Sequence, residues 1–317
     1  MYEENNIHVV KPPKTKKYKK FCKMIYNIFH KKFIKKKNNK ISINVHILMN
    51  ILIDHLKENK DISYARNVKY TQNDFVEGII DIINNNTYWN RYKGKVPGKY
   101  LNKKHGEYCK MGVYECLYMI IVMIYFKEAK FIKLKHQSID TTFIRNLYGK
   151  EMIQRNVQYK SKNGIKVSSI NDTNGVAISF AISKGSTNDA KIALSQLNTS
   201  FIDLETKRVN KNKRYKQNIY MDAMYHDTEL LTVLKNKGYK PTTDVNIRNT
   251  KNKTKLKQLK LMKEKYLKVC KKRYIVEASF AWLHKFPKLD RFVEKTIKSY
   301  KGLLLLGSSI TVSKKIN

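Results

Sequence analysis

The sequence predicts an α/β protein, a mixed sheet with flanking helices preceded by a helical N-terminal domain. Two observations carry this. Apolar residues recur at helical spacing from about residue 41 to 130, and from about 131 the pattern turns to strand-like alternation. The strands then pass into a helix–strand–helix–strand order, which calls for parallel pairing in part of the sheet.

Residues 1–40 read as a basic tail, since positions 11–40 hold thirteen lysines and no acid. Such a run suits a solvated tail, a phosphate-binding arm or a nuclear address. Residues 41–130 read as a helical domain of the kind that binds DNA. "INVHILMNILIDHL" places Val45, Leu48, Leu52 and Leu56 on one helical face, and Thr71 is positioned to cap a second helix through Phe75, Val76, Ile79 and Ile83. A loop is expected around Pro97 and Gly98, then a third helix after Gly112. Its run "CLYMIIVMIYF" is far shorter than the roughly 20 residues a bilayer span needs, so a buried helix is expected and no membrane.

Residues 131–317 read as the sheet domain. In "HQSIDTTFI", Ile139, Thr141 and Phe143 share one face, and Ser138, Asp140 and Thr142 the other. "GIKVSSI" and "VAISFAI" form a hairpin through a turn ending at Gly175, and Asn188 or Asp189 starts a helix. A strand ending at Asp222, a helix from about Asp227 closed by Gly238, and the extended "YKPTTDV" follow. Residues 246–273, with twelve Lys and Arg against one Glu, read as a basic surface stretch, with an insertion into the domain at about 246–265. The last strong helix is "KKRYIVEASFAWLHKF", ending before Pro287. The tail "YKGLLLLGSSITV" is expected either to pack beneath the sheet or to make a contact between copies.

Charge narrows the function. The 317 residues hold 65 Lys and Arg against 25 Asp and Glu, a net +40, while 42% hydrophobic residues support a core. That excess points to a polyanion, nucleic acid before a membrane surface, although a lysine-favouring gene composition would also raise it. Cys22, Cys109, Cys116 and Cys270 form no C-x-x-C pair, so neither a zinc site nor a disulfide framework is expected. The charged N-terminus does not suit a signal peptide, so an intracellular protein is expected, in cytoplasm or nucleoid, or in a nucleus.

Against so few acids, three stand out. Asp140 lies mid-strand opposite an apolar face, Asp222 ends a strand, and Glu277 lies in an apolar helix, four residues after Arg273 and on one stripe with Phe280 and His284. A surface ion pair accounts for Arg273 and Glu277 alone. But Asp is depleted in strands, and a buried carboxylate is costly unless paired or bound to metal. If the first and fourth strands are neighbours, with the helix over that edge, three carboxylates converge without His or Cys, a donor set suited to Mg²⁺ or Mn²⁺.

These residues resemble a known family, the DDE transposases of bacterial insertion sequences, whose catalytic core is ribonuclease-H-like. "IDTTFIR" and "IYMDAMY" resemble its first and second acid strands. Arg273-Tyr-Ile-Val-Glu277 with "SFAWLHKF" is similar to its third-acid helix, and "NGIKVSSINDTNGVAISFAISKGSTNDAK" to its hairpin, its Lys (here Lys166) and its His-Asp pair (here Asn188-Asp189). The likeness covers about residues 135–310. Met224 stands where the family often has Gly, Cys270 where it usually has Tyr, and His284, beside Lys285, where it has Lys.

The resemblance implies a transposase that cleaves and transfers strands at the ends of a mobile element. Asp140, Asp222 and Glu277 would hold two Mg²⁺ or Mn²⁺ ions, and Arg273, His284, Lys285 and Lys166 would contact DNA. It also implies double-stranded DNA as partner, at element ends and target, and a homodimer on DNA. A transposase-derived protein that binds DNA without cutting it is the alternative, and a structure-selective nuclease a third reading.

Overall fold

A computed structural model describes residues 7–10, 23–27, 36–37, 40–41, 43–58, 69–85, 87–129, 134–197, 217–245, 247 and 252–316. Most of the expected basic tail lies outside them. Among the described residues ten strands are present: β1 (Ile7–Val10), β2 (Lys36–Lys37), β3 (Lys40–Ile41), β4 (His136–Asn146), β5 (Gln154–Asn156), β6 (Lys162–Asn171), β7 (Ala177–Lys184), β8 (Gln217–Met221), β9 (Tyr239–Thr243) and β10 (Arg291–Phe292). The helices are α1 (23–27), α2 (Val45–Glu58), α3 (Gln72–Asn84), α4 (Gly98–Met111), α5 (Val113–Ala129), α6 (Asp189–Gln196), α7 (Thr228–Asn236), α8 (Lys253–Leu267), α9 (Tyr274–His284), α10 (Pro287–Asp290) and α11 (Ile297–Ile316).

The chain divides into two compact units: residues 1–11, 129–144 and 152–281, and residues 12–128, 145–151 and 282–317. This differs from the expected boundaries at 40 and 130. The apolar "IHVV" at the chain start joins the sheet unit as β1, and the C-terminal residues, expected in the sheet domain, belong to the helical unit.

In the first unit the strand order is β1-β7-β6-β4-β8-β9, with β5 also paired to β6. The β1–β7 and β6–β7 pairs are antiparallel, while β4–β8 and β8–β9 are parallel. Both faces of β6 and β7 are covered, since nearly every residue along them is buried. That explains why their sequences run apolar and small without strict alternation. The Asp172 carboxylate accepts from the backbone N–H groups of Asn174 and Val176 at 3.0 and 2.8 Å and so closes the β6–β7 hairpin. Asn188 caps α6 and Asp227 caps α7, each by accepting backbone N–H bonds. The basic stretch expected only as a surface segment holds α8, which buries Leu259 and Tyr266 and exposes Lys253, Lys257, Lys260 and Lys265.

The second unit is mainly helical, and its described residues between 41 and 130 hold one helix more than the periodicity suggests. Residues 98–111, expected as loop, form α4 because Leu101, His105, Tyr108 and Cys109 make one buried stripe along a polar sequence. A Cβ on Gly98 would lie 1.7 Å from the Trp89 carbonyl oxygen, so glycine is required there for close approach. Gly112, at φ 78°, ends α4 in the left-handed conformation, and α5 departs at 65°. As expected, α5 is buried on nearly all sides from Val113 to Tyr125. The tail forms α11, which belongs to this unit and not to the sheet unit, and packs on α4, α2 and α10. It is buried along most of its length. The last two residues of β4, Arg145 and Asn146, pair with β10 in this unit. Thr71 caps α3 in a reciprocal capping box with Asp74.

A buried polar network joins α4 to the C-terminal segment. His105 bonds the Tyr114 hydroxyl at 2.7 Å and Ser299 Oγ at 3.0 Å, and Glu294 accepts from Trp89 Nε1 at 2.9 Å and Ser299 Oγ at 2.6 Å. Lys288, 3% exposed, pairs with Glu294 at 3.3 Å. Burial works to raise the Glu294 carboxyl, but Lys288, His105 and the bonds from Ser299 and Trp89 outweigh it. No single helix among the described residues is long and apolar enough to cross a membrane.

Candidate active site

The parallel ladder of β4 and β8 pairs Gln137 with Ile219 and Ser138 with Tyr220. Carried two residues on, that register sets Asp140 against Asp222, which is still extended at φ −74°, ψ 170°. Both acids therefore stand at matching positions, Asp222 just past the carboxyl end of β8. Ligand sites in α/β sheets recur at such strand ends. Asp222 Oδ1 accepts from the Ala223 N–H at 2.5 Å, starting the turn that follows. Beyond the ladder, the Thr141 hydroxyl on β4 and the fully buried Tyr225 hydroxyl lie 2.7 Å apart and tie the two segments together.

Glu277 lies in the first turn of α9, and Arg273 just precedes that helix. The guanidinium is held on three sides: Nη1 donates to Asp140 Oδ2 at 2.7 Å, Nη2 to Glu277 Oε1 at 2.5 Å, and Nε to the Tyr266 hydroxyl at 3.1 Å. Tyr266 comes from α8, the basic stretch. A tyrosine thus reaches Arg273 although the position three before it is Cys270. Glu277 is not buried in an apolar helix as its neighbours suggested, because 44% of its side chain is exposed.

Asp140 carries the largest strain in charge. Burial pushes its carboxyl up to about 6, and Asp222 and Glu277 add to that, against the Thr141 N–H and Arg273. For Arg273 burial acts to loosen the proton, but Asp140, Tyr266, Glu277 and Asp222 hold it more tightly than usual. A second buried pair lies near. Lys166 donates to Asp189 at 2.7 Å and to the Thr187 carbonyl at 2.9 Å, and Asp222 helps burial to raise the Asp189 carboxyl.

The structure therefore brings together Asp140, Asp222, Glu277 and Arg273. Lys166, 5% exposed, directs its ammonium to Asp189 and holds that acid. His284 and Lys285 belong to the second unit, where His284 faces Asp290 at 3.6 Å and Lys285 is exposed. Reading from sequence missed Tyr266 and the Thr141–Tyr225 link. Tyr225 stands three residues after Asp222, and Tyr266 is the single aromatic of its lysine-rich helix.

Among the described residues no three His, Cys, Asp or Glu side chains stand close enough to hold a metal ion as they are, and Arg273 bridges Asp140 and Glu277. By donor chemistry the set still fits a hard cation: all three groups are carboxylates, and Asp140 is largely shielded from solvent with its carboxyl raised despite Arg273.

A sheet ordered β7-β6-β4-β8-β9, acids at matching positions on its first and fourth strands in chain order, and a third acid on a later helix define a ribonuclease-H-like α/β protein with an Asp-Asp-Glu set. Residues 131–307, more than half the chain, match the family model described as the transposase DDE domain, and the chain belongs to that family. No curated protein and no solved structure matches it.

Proposed function

We propose that this chain is a transposase that cleaves DNA at the ends of a mobile element and transfers the freed strands to a target, with Asp140, Asp222 and Glu277 as its catalytic carboxylates. The carrying observation is the register that puts Asp140 beside Asp222, with Arg273 tying Asp140 to Glu277. These three acids would hold Mg²⁺ or Mn²⁺, two ions per site. When bound, the ions supply activation of the attacking oxygen and stabilisation of the leaving 3′ oxygen.

The chain's own residues do the rest. Water attacks the scissile phosphorus and the 3′ oxygen leaves as a hydroxyl. That hydroxyl then attacks a target phosphorus and a target 3′ oxygen leaves. Arg273 and Lys285, with His284, contact phosphate oxygens, where fixed cations offset charge developing in the transition state. Tyr225 and Thr141 fix the spacing of the two aspartates, and Lys166 fixes Asp189 beside them. Double-stranded DNA is the partner, the place of action is intracellular, and two copies assemble on paired ends, because the +40 surface opposes association until DNA neutralises it.

The test uses a supercoiled plasmid carrying the DNA that flanks the gene, with Mg²⁺ or Mn²⁺. Asp140→Asn, Asp222→Asn and Glu277→Gln each abolish cutting and leave DNA affinity, measured in chelator, within about twofold. Wild-type cutting by any one variant removes that residue from the site. DNA binding without cutting by the unmodified chain supports the non-cutting alternative instead.

A further inference from the structure

The carboxylates proposed to bind metal are already occupied, and the occupant is a side chain. Arg273 takes Asp140 Oδ2 and Glu277 Oε1, oxygens from two of the three acids, and Tyr266 accepts its remaining Nε–H. A cation drawing on those two oxygens competes with the guanidinium's hydrogen bonds and meets its positive charge. Arginine, unlike lysine, keeps its charge under all ordinary conditions, so it cannot vacate the site by losing a proton. It leaves only if its hydrogen bonds are replaced.

We propose that Arg273, steadied by Tyr266, is the catalytic centre's own counter-cation before metal binds, and that metal enters when a DNA phosphate draws the guanidinium away. This inference rests on the function proposed above. Phosphate is the replacement the chemistry favours, because a guanidinium pairs with two phosphate oxygens as it does with carboxylates. Tyr266 lies on α8, whose exposed lysines face solvent, so the helix that steadies Arg273 also presents a surface suited to a polyanion.

Thermodynamic linkage follows. If Arg273 and metal compete for the same oxygens, anything that displaces Arg273 tightens metal binding, and by reciprocity metal tightens DNA binding. The arrangement keeps the metal weakly held in protein without DNA. It also protects Asp140: with the guanidinium gone and no metal present, a half-buried carboxylate would stand beside two others.

Mn²⁺ titration of the full chain, read by electron paramagnetic resonance without turnover, tests this. The variants are Arg273→Gln, Tyr266→Phe and Asp222→Asn, each first checked for an unchanged circular dichroism spectrum. Arg273→Gln binds Mn²⁺ about tenfold more tightly than the unmodified chain, and Tyr266→Phe shifts affinity the same way by less. A 20-base-pair duplex tightens Mn²⁺ binding to the unmodified chain and leaves Arg273→Gln almost unmoved. Asp222→Asn, whose side chain Arg273 does not touch, loses the Mn²⁺ site and so marks it as the carboxylate one. Mn²⁺ binding that Asp222→Asn abolishes but Arg273→Gln leaves unchanged or weakens overturns the inference while the metal site stands. Binding that Asp222→Asn does not alter overturns both. Should Arg273→Gln misfold, Tyr266→Phe and the duplex effect on the unmodified chain decide.

Discussion

Replacing Asp140 by Asn should make the protein more stable, although it removes a proposed catalytic group. In the folded chain the Asp140 carboxyl titrates at about 6 in place of its ordinary 3.8, chiefly because burial penalises the charged form. At about 1.4 kcal/mol per tenfold in proton affinity, holding that charge at neutral pH costs the fold about 3 kcal/mol. A raised folded-state value means that the native protein binds the proton more tightly than the unfolded chain does. The contribution is therefore fully present below about pH 4 and is lost as pH rises through about 6. Asn imitates the protonated form and keeps an oxygen for Arg273. Urea unfolding of both proteins in chelator should then show no gap below about pH 4, a gap opening between about 4 and 6, and about 2–3 kcal/mol in favour of the variant at pH 7.5. Taking the difference cancels groups common to both, including His105 and His284, whose values burial lowers. Equal stability at pH 7.5, or a less stable variant, would show that Arg273 compensates Asp140 fully and that the site holds no excess negative charge.

Three further outcomes are expected. Thr71→Ala, which breaks the capping box on α3, should cost about 1 kcal/mol in denaturant unfolding, and a loss below about 0.3 would mean the cap is replaced by solvent. Glu294→Ala leaves Lys288 buried without its carboxylate and should cost about 3–5 kcal/mol; the same measurement finding under 1 would mean that water reaches Lys288. Replacing Lys257, Lys260 and Lys265 on α8 by Gln should flatten the log–log dependence of DNA affinity on salt by about 0.9 for each phosphate no longer neutralised, and an unchanged slope would assign those lysines to solvation alone.

Much of the fold could be read where side-chain pattern and burial agree. Asp140 and Asp222 were legible because acids in strand-like runs conflict with strand chemistry, and the conflict marks a site. Thr71 and Asn188 announced their helix starts through local capping rules. What escaped was set by tertiary contact. The stripe on α4 is Leu101, His105, Tyr108 and Cys109, of which one is aliphatic, so its burial depends on partners such as Ser299 far along the chain. Helix α8 hid in a lysine run that also suits an unstructured surface. The charge of Lys166 is visible in the sequence, but its pairing with Asp189 is not.

The pairing of β1 with β7 also sets an order of events during synthesis. Ile7 leaves the ribosome long before Ser183, the residue it lies against, and every other strand of the main sheet up to β7 is made in between. The β6–β7 hairpin can close at once across its short turn, whereas β1 must wait as an unpaired apolar strand. One edge of the sheet is therefore completed by a segment made earlier than the strands beside it. Mutations that weaken β1 should spare the hairpin's own closure and instead leave the outer edge of β7 open, where another chain could add.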